Sequence, residues 1–323
     1  MQAVKILPQS APTPKQQVSH LSVVVPGNYF PMAESFKRRL RAQGFSHKTL
    51  LTYAEAIQQL GEYLASAGRP LDVASITTND ITEFENLLRD KGYKPSTVNN
   101  RHRGLSAYFK WLLSEQEIAA NPMANLKPPE LKDVRQLRVI TDEQWQRLFK
   151  ACAGNDFRSR RDMAILRLFL ATPARLSEIG ALRVTDLDLD HRVIEVLGKG
   201  GKRRTMEIGV KPVEALDRYL RIRATHRLAH LPELWLGARY PMTASGVYQM
   251  FKDRAAAAGM PDLHPHEARA TYAADWIAKG GSTLSLKKHA GWSSDAMIAR
   301  YTALAASQIA SDEYKRIMPG DRV

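Results

Sequence analysis

The run NPMANLKPPELKDVRQLR, residues 121–138, contains three prolines, many polar side chains and no apolar period. Proline has no backbone donor and biases the residue before it away from helix, so no regular element is expected to cross this run. Helical periodicity resumes on both sides, which makes the run a linker. A chain of 323 residues is long enough for two separate cores. The expected division is a leader at 1–30, a helical region at 31–120, the linker at 121–138 and a second globular region at 139–323.

The leader is rich in Pro, Ser and Gln, lacks a sustained period, and is expected to be mostly flexible. Four helical patterns follow. The first, at about 31–43, carries the basic run KRRLR. In the second, Ser46 suits a cap, and Leu50, Tyr53, Ile57, Leu60 and Leu64 recur at alternating spacings of three and four. The third starts near TTND, with Thr78 or Asn79 as the expected cap. The fourth starts at KPSTVNN and has Val98, Leu105, Tyr108, Phe109 and Leu112 as its apolar stripe. Its other side aligns Asn99, Arg103 and Lys110, with Arg101 nearby. A solvated helix face accounts for that line, and so do contacts to bases and phosphates in a major groove.

The charge balance narrows the partners. Lys and Arg number 47 against 33 Asp and Glu, a net charge of +14 that favours a polyanion, most often nucleic acid. An anionic membrane surface is the competitor, yet no apolar run is long enough to span a bilayer and the N-terminus has no signal-peptide pattern. The single cysteine, Cys152, excludes an intrachain disulfide framework and suits a reducing cytoplasm, the expected location. It sits in the apolar-periodic WQRLFKAC and reads as a small core residue.

The second region starts at about Thr141, where TDEQW offers acidic residues to a first helical turn. Helical patterns follow at 143–153, 159–171 and 176–183. Then RVIEVLGKGGKRRTMEIG places β-branched residues on both sides of GKGG, a β-hairpin with a basic tip. Helical patterns resume at 212–229, 243–258, 266–279 and 295–315. The expected fold is mainly α, with one small sheet in the C-terminal domain.

Several charged positions exceed what folding alone asks for. Arg175 opens a helix among apolar neighbours, and Glu178 shares its face three residues on, either as a structural ion pair or as a carboxylate that aims the guanidinium into a site. The hairpin tip carries Lys199, Lys202, Arg203 and Arg204, either a solvated turn or a mobile lysine delivered to a reacting oxygen. In LHPHEARATYAADW, His266 and Arg269 share a helical face. Finally, HAGWSSDAMIARY puts Trp292 nine residues before Tyr301. In one unbroken helix those side chains would face opposite ways, so both are packing aromatics or a bend at SSD lets them converge.

Taken in order, Arg-x-x-Glu, a hairpin GKG, His-x-x-Arg and a Trp nine residues before a Tyr resemble the tyrosine recombinase (phage integrase) family, the group that includes Xer and Cre. The resemblance covers about residues 30–318, the N-terminal helices resembling the family's core-binding domain, and is most specific across Arg175–Tyr301. It implies a two-domain, C-shaped DNA clamp with a catalytic C-terminal domain. It also implies that Tyr301 is the nucleophile, that Arg175 and Arg269 hold the scissile phosphate, and that Lys199 is a general acid. His266 becomes a general acid/base and Glu178 a supporting carboxylate. Trp292 stands where many members have His, while Cre-like members carry Trp there. Thr172-Pro173 replaces the usual Thr-Gly, while Ala268 and Ala270 flank the second arginine where larger residues are common. His289 is peripheral, because aligning it with the missing His breaks the spacing to Tyr301.

The expected DNA contacts are Asn99, Arg101, Arg103, Lys110, Lys202, Arg203 and Arg204. The partners implied by the resemblance are double-stranded recombination sites and, on synapsed DNA, a homotetramer. The amphipathic tail after Tyr301 would pack on a neighbouring protomer or on its own domain. A phosphodiester repels nucleophiles, and two guanidiniums with paired donors offset its charge. With a lysine beside them, neither metal nor ATP nor another cofactor is expected. Two other readings stay open: a type IB topoisomerase with a similar residue set, and a catalytically idle DNA-binding accessory protein.

Overall fold

The structure is a computed structural model that describes residues 27–130, 138–198, 201, 203–292 and 294–318. The chain divides into two compact units, Met1–Arg135 and Gln136–Val323.

The first unit packs four helices: α1 Tyr29–Ala42, α2 His47–Ser66, α3 Thr78–Asp90 and α4 Pro95–Ser114. Ser46 caps α2 by accepting from the Thr49 amide at 3.2 Å. The cap of α3 is Thr77, one residue before the expected Thr78. Thr77 keeps an extended backbone and accepts from the Asp80 amide, while the Asp80 carboxylate returns to the Thr77 amide at 2.7 Å. Pro95 starts α4, where its missing donor costs nothing. The whole apolar stripe of α4 is buried, as are Ile57, Leu60 and Leu64 of α2; Leu50 and Tyr53 pack at the margin. Helices α2 and α4 meet at Gly104, where an added Cβ would lie 3.0 Å from Ala56 Cβ and 3.3 Å from Tyr53 Cα. A Gly104→Val change therefore overpacks that contact and is expected to cost about 1–3 kcal/mol, read from the urea unfolding midpoint. An unshifted midpoint would mean that the helices separate freely.

Arg101 does not lie on the solvent-facing line of α4. It is buried, bonded to Gln59 Oε1 at 2.8 Å and paired with Glu55, so it ties α4 to α2. Helical geometry explains the correction: Arg101 falls among the stripe residues Val98, Leu105 and Leu112, about one turn from the first. His102 likewise ties α4 to Glu85 of α3 at 2.7 Å.

The second unit contains α5 Asp142–Lys150, α6 Phe157–Ala171 and α7 Leu176–Gly180. A three-stranded antiparallel sheet follows, β1 Leu187–Asp188, β2 Val193–Leu197 and β3 Arg203–Glu207, in the order β1-β2-β3. Then come α8 Val210–Arg223, α9 Ala244–Ala257, α10 Pro265–Ala278, α11 Thr283–Ala290 and α12 Asp295–Ile317. Leu166, Phe169, Tyr219, Trp235 and Phe251 anchor the main core. Helix α8 stops well short of residue 229, because Arg223 is buried and donates to the carbonyls of Ala229, Leu231, Glu233 and Leu234 in the loop beyond. Cys152 is buried in the same core, which pushes its thiol up to about 12. A smaller cluster joins α10, α11 and α12 through Ala270, Ala273, Leu286, Ala290, Trp292 and Tyr301. Among the described residues no helix is long and apolar enough to cross a membrane.

Candidate active site

Arg175 is the N-cap of α7, and Glu178 holds it at both ends. One Glu178 oxygen accepts from the Arg175 amide at 2.7 Å, the other from its guanidinium at 2.8 Å. A second arginine completes the carboxylate: Arg204 donates Nη1 and Nη2 to the two Glu178 oxygens at 3.0 and 2.7 Å. Burial alone would raise the Glu178 carboxyl, but bonds from Arg204, the Arg175 amide and the Arg175 guanidinium outweigh it and hold it below the ordinary value. Glu178 is thus a buried, fully engaged anion between two cations.

The hairpin supplies Arg204 through simple alternation. Val196 pairs with Arg204 and Ile194 with Met206, so all four share the face turned to the core. Arg204 therefore points inward rather than into solvent, which corrects its expected place among surface DNA contacts. Arg203, on the other face, pairs with Glu195 at 2.6 Å. Lys199 and Lys202 lie outside the described residues.

Helix α10 carries the other two polar groups. Arg269 is buried and donates to the carbonyls of Pro173 and, at 2.8 Å, Ala290. Burial, reinforced by the positive charge of Arg175, lowers it to about 10, so it stays protonated at neutral pH. His266, on the first turn, keeps an exposed edge. Desolvation of the remainder, then the charges of Arg269 and Arg300, hold its imidazole below the ordinary value.

Trp292 and Tyr301 do converge. Gly291 ends α11 in the left-handed region (φ 62°), and Ser294 caps α12, accepting from the Ala296 amide at 3.2 Å. That break places the Trp292 ring flat on Tyr301, centroids 4.8 Å apart and planes 7° from parallel. Arg269 Cζ lies 5.3 Å from the Trp292 ring centroid. Tyr301 is fully buried, and its hydroxyl has no hydrogen-bond partner among the described residues. Two Arg269 N–H groups are directed at Pro173 and Ala290, while its charge and the approach of its side chain to the hydroxyl both favour the phenolate. Burial raises the phenol, with Arg269 and Arg300 opposing. A buried hydroxyl without a partner is costly, and such groups are where function is sought.

Arg175, Glu178, Arg269, Trp292 and Tyr301 therefore gather in one place, and His266 stands on the same helix as Arg269, three residues before it. In the first unit Arg103 and Lys110 are exposed, and Asn99 is half-buried and donates to Pro129 O at 3.2 Å. Sequence reasoning missed α11, a helix of eight residues with Leu286 and Ala290 as its buried positions, too few to set a period. It also set His289 aside, whose carbonyl accepts from Arg204 Nε at 3.0 Å.

Residues 138–308 match the Phage integrase family, and residues 32–118 match the phage integrase N-terminal SAM-like domain. Tyrosine recombinase XerC of Xanthomonas campestris pv. campestris is 31% identical over 254 residues, 76% of this chain and 76% of that protein. Tyrosine recombinase XerC 1 of Ralstonia nicotianae is 30% identical over 302 residues, covering 86% of this chain and 88% of that one. Solved structures with the same fold include the Tn1549 transposon integrase in complex with a circular intermediate DNA, at TM-score 0.70 and 22% identity over 88% of this chain and 99% of that one. A lambda integrase tetramer bound to a Holliday junction is similar at TM-score 0.66 and 20% identity, covering 82% and 77%. The chain belongs to the phage integrase, or tyrosine recombinase, family of DNA breaking-rejoining enzymes.

Proposed function

We propose that this chain is a site-specific recombinase that exchanges DNA strands through a 3′-phosphotyrosine at Tyr301 and a Holliday junction, serving integration and excision or resolution of a mobile element or replicon. The observation that carries the reading is the orphaned Tyr301 hydroxyl beside two arginines that retain donors beyond those spent on described partners. Arg175 and Arg269 hold the non-bridging oxygens of the scissile phosphate, and the Trp292 indole N–H adds a donor. Tyr301 Oη attacks phosphorus and the bond to the 5′-oxygen breaks. His266 accepts the phenol proton and Lys199 protonates the departing oxygen. Attack by the 5′-hydroxyl of a second duplex reverses the step, so the phosphodiester bond is conserved and no ATP is consumed. Because Tyr301 is fully buried, the side chains that cover its hydroxyl must move aside when DNA binds.

The helical region at 31–120 reads the duplex through Asn99, Arg103 and Lys110, while Lys202 and Arg203 add backbone contacts from the domain at 139–323. Two protomers occupy each site and four form the synapse, with the α12 tail reaching a neighbour. The relatives of similar length and the lambda integrase tetramer bound to a Holliday junction support this reading.

Wild-type protein incubated in EDTA with nicked DNA carrying its site is expected to give a denaturation-resistant adduct, and two such sites to exchange strands. An adduct without exchange would favour a relaxing enzyme; specific binding without an adduct would leave a DNA-binding protein.

The lowered His266 value sets a pH dependence. A base that loses its proton below the ordinary histidine value, near 6.5, is neutral throughout the physiological range. Single-turnover cleavage at subsaturating DNA, which reports the free protein, should therefore rise with pH to a plateau whose midpoint lies below that value, and His266→Gln should lose this limb. An unchanged acid limb in the variant would remove His266 from proton transfer.

A further inference from the structure

The C-terminal turn of α11 has a complete account of its carbonyls. Those of Lys287 and Lys288 accept from the amides of Trp292 and Gly291, at 3.0 and 3.2 Å, in the wrap that the left-handed Gly291 permits. The next three each take a different arginine: His289 O from Arg204 at 3.0 Å, Ala290 O from Arg269 at 2.8 Å and Gly291 O from Arg175 at 3.2 Å. Unpaired carbonyls at a helix C-terminus carry partial negative charge and favour cations. Here the turn aligns three guanidiniums side by side, and the Glu178 carboxylate bonds to two of them, Arg175 and Arg204.

We infer that Arg204 is a positioning residue for cleavage, fixing Arg175 and Arg269 through Glu178 and the C-terminal turn of α11. This rests on the recombinase reading. Its guanidinium spans two of the parts that orient the phosphate-binding pair. Nη1 and Nη2 lock both oxygens of the carboxylate that grips Arg175, and Nε holds the carbonyl directly before those that grip Arg269 and Arg175. All three donor atoms of Arg204 are committed to protein, and its side chain is largely buried, so it acts through other residues rather than on DNA. Gly291 completes the seat, because a Cβ there would come within 3.2 Å of the Arg204 guanidinium. Lysine carries the same charge but lacks the planar fork and reaches at most part of this set.

The test uses the full chain with Arg204→Met and Arg204→Lys, on two suicide DNAs. One has an ordinary scissile phosphate; the other has a methyl in place of one non-bridging oxygen, which makes that phosphate neutral. Both variants are expected to bind DNA with the wild-type affinity and salt slope, and to cleave the ordinary substrate on the order of 10²-fold more slowly, the cost of a misplaced reacting group. On the neutral phosphate the deficit should shrink towards unity, since there is less charge for the arginine pair to offset. A deficit equal on both substrates would show a general structural role and overturn the inference. So would wild-type cleavage by both variants, or a salt slope reduced by about 1, the mark of a direct phosphate contact. Should Arg204→Met not fold, Arg204→Lys carries the same comparison. No adduct from the wild-type protein on either DNA would remove the recombinase reading itself, whereas wild-type cleavage matched by both variants removes the positioning role alone.

Discussion

Replacing Tyr301 with phenylalanine is expected to abolish the covalent protein–DNA adduct while leaving the protein at least as stable as before. The two halves of that expectation have one physical source. The Tyr301 ring fills its place by stacking on Trp292, and phenylalanine keeps that contact. The hydroxyl is buried without a partner among the described residues. A group left in that state costs about 1–3 kcal/mol, some of which its removal recovers. The phosphotyrosine bond, by contrast, has no substitute atom in phenylalanine. Denaturing gel electrophoresis on nicked DNA in EDTA reads the first half, and urea unfolding reads the second. Residual adduct in the variant would place the nucleophile elsewhere. A clear loss of stability would show that the hydroxyl has a structural partner, and would weaken the case for a group held ready for chemistry.

The same stack shows what was legible in the sequence. The nine-residue interval between Trp292 and Tyr301 already demanded either a bend or two unrelated aromatics, and the SSD segment offered the bend. The helices with strong apolar stripes, α2 and α4 above all, were legible for the same reason: a long period leaves little choice of buried face. Arg101 was misplaced because residue type outweighed phase. A charged side chain was read as surface although its helical position lay within the stripe, and Glu55 with Gln59 makes that burial tolerable. Arg204 was misplaced in the same way. The signal was present in the strands, since VIEVL and RRTME alternate so that Arg204 follows Met206, Val196 and Ile194 to the inner face. The backbone carbonyls that accept from the arginines were beyond reach of sequence, because every residue has a carbonyl and the geometry of a helix end decides which are available.

Arg269→Ala is expected to lower the single-turnover cleavage rate by about 10²–10³-fold, the usual cost of one preorganised donor at a developing oxyanion. It should also destabilise the fold, which Arg175→Ala should do much less. The environments of the two arginines account for the difference. Arg269 is 5% exposed and satisfies the carbonyls of Pro173 and Ala290, so truncation strands two acceptors inside the protein. Each such group costs about 1–3 kcal/mol when left unpaired, unless water enters the space that the side chain vacates. The Arg175 side chain is 39% exposed, and the carboxylate that it leaves behind still has Arg204. Water reaches the vacated position readily. Rates compared at a temperature well below both unfolding transitions should then be similarly low for the two variants, while their urea midpoints differ. Equal midpoints would mean that Pro173 and Ala290 find other donors. A rate loss confined to Arg269→Ala would reduce Arg175 to a partner of Glu178, with a single guanidinium on the phosphate.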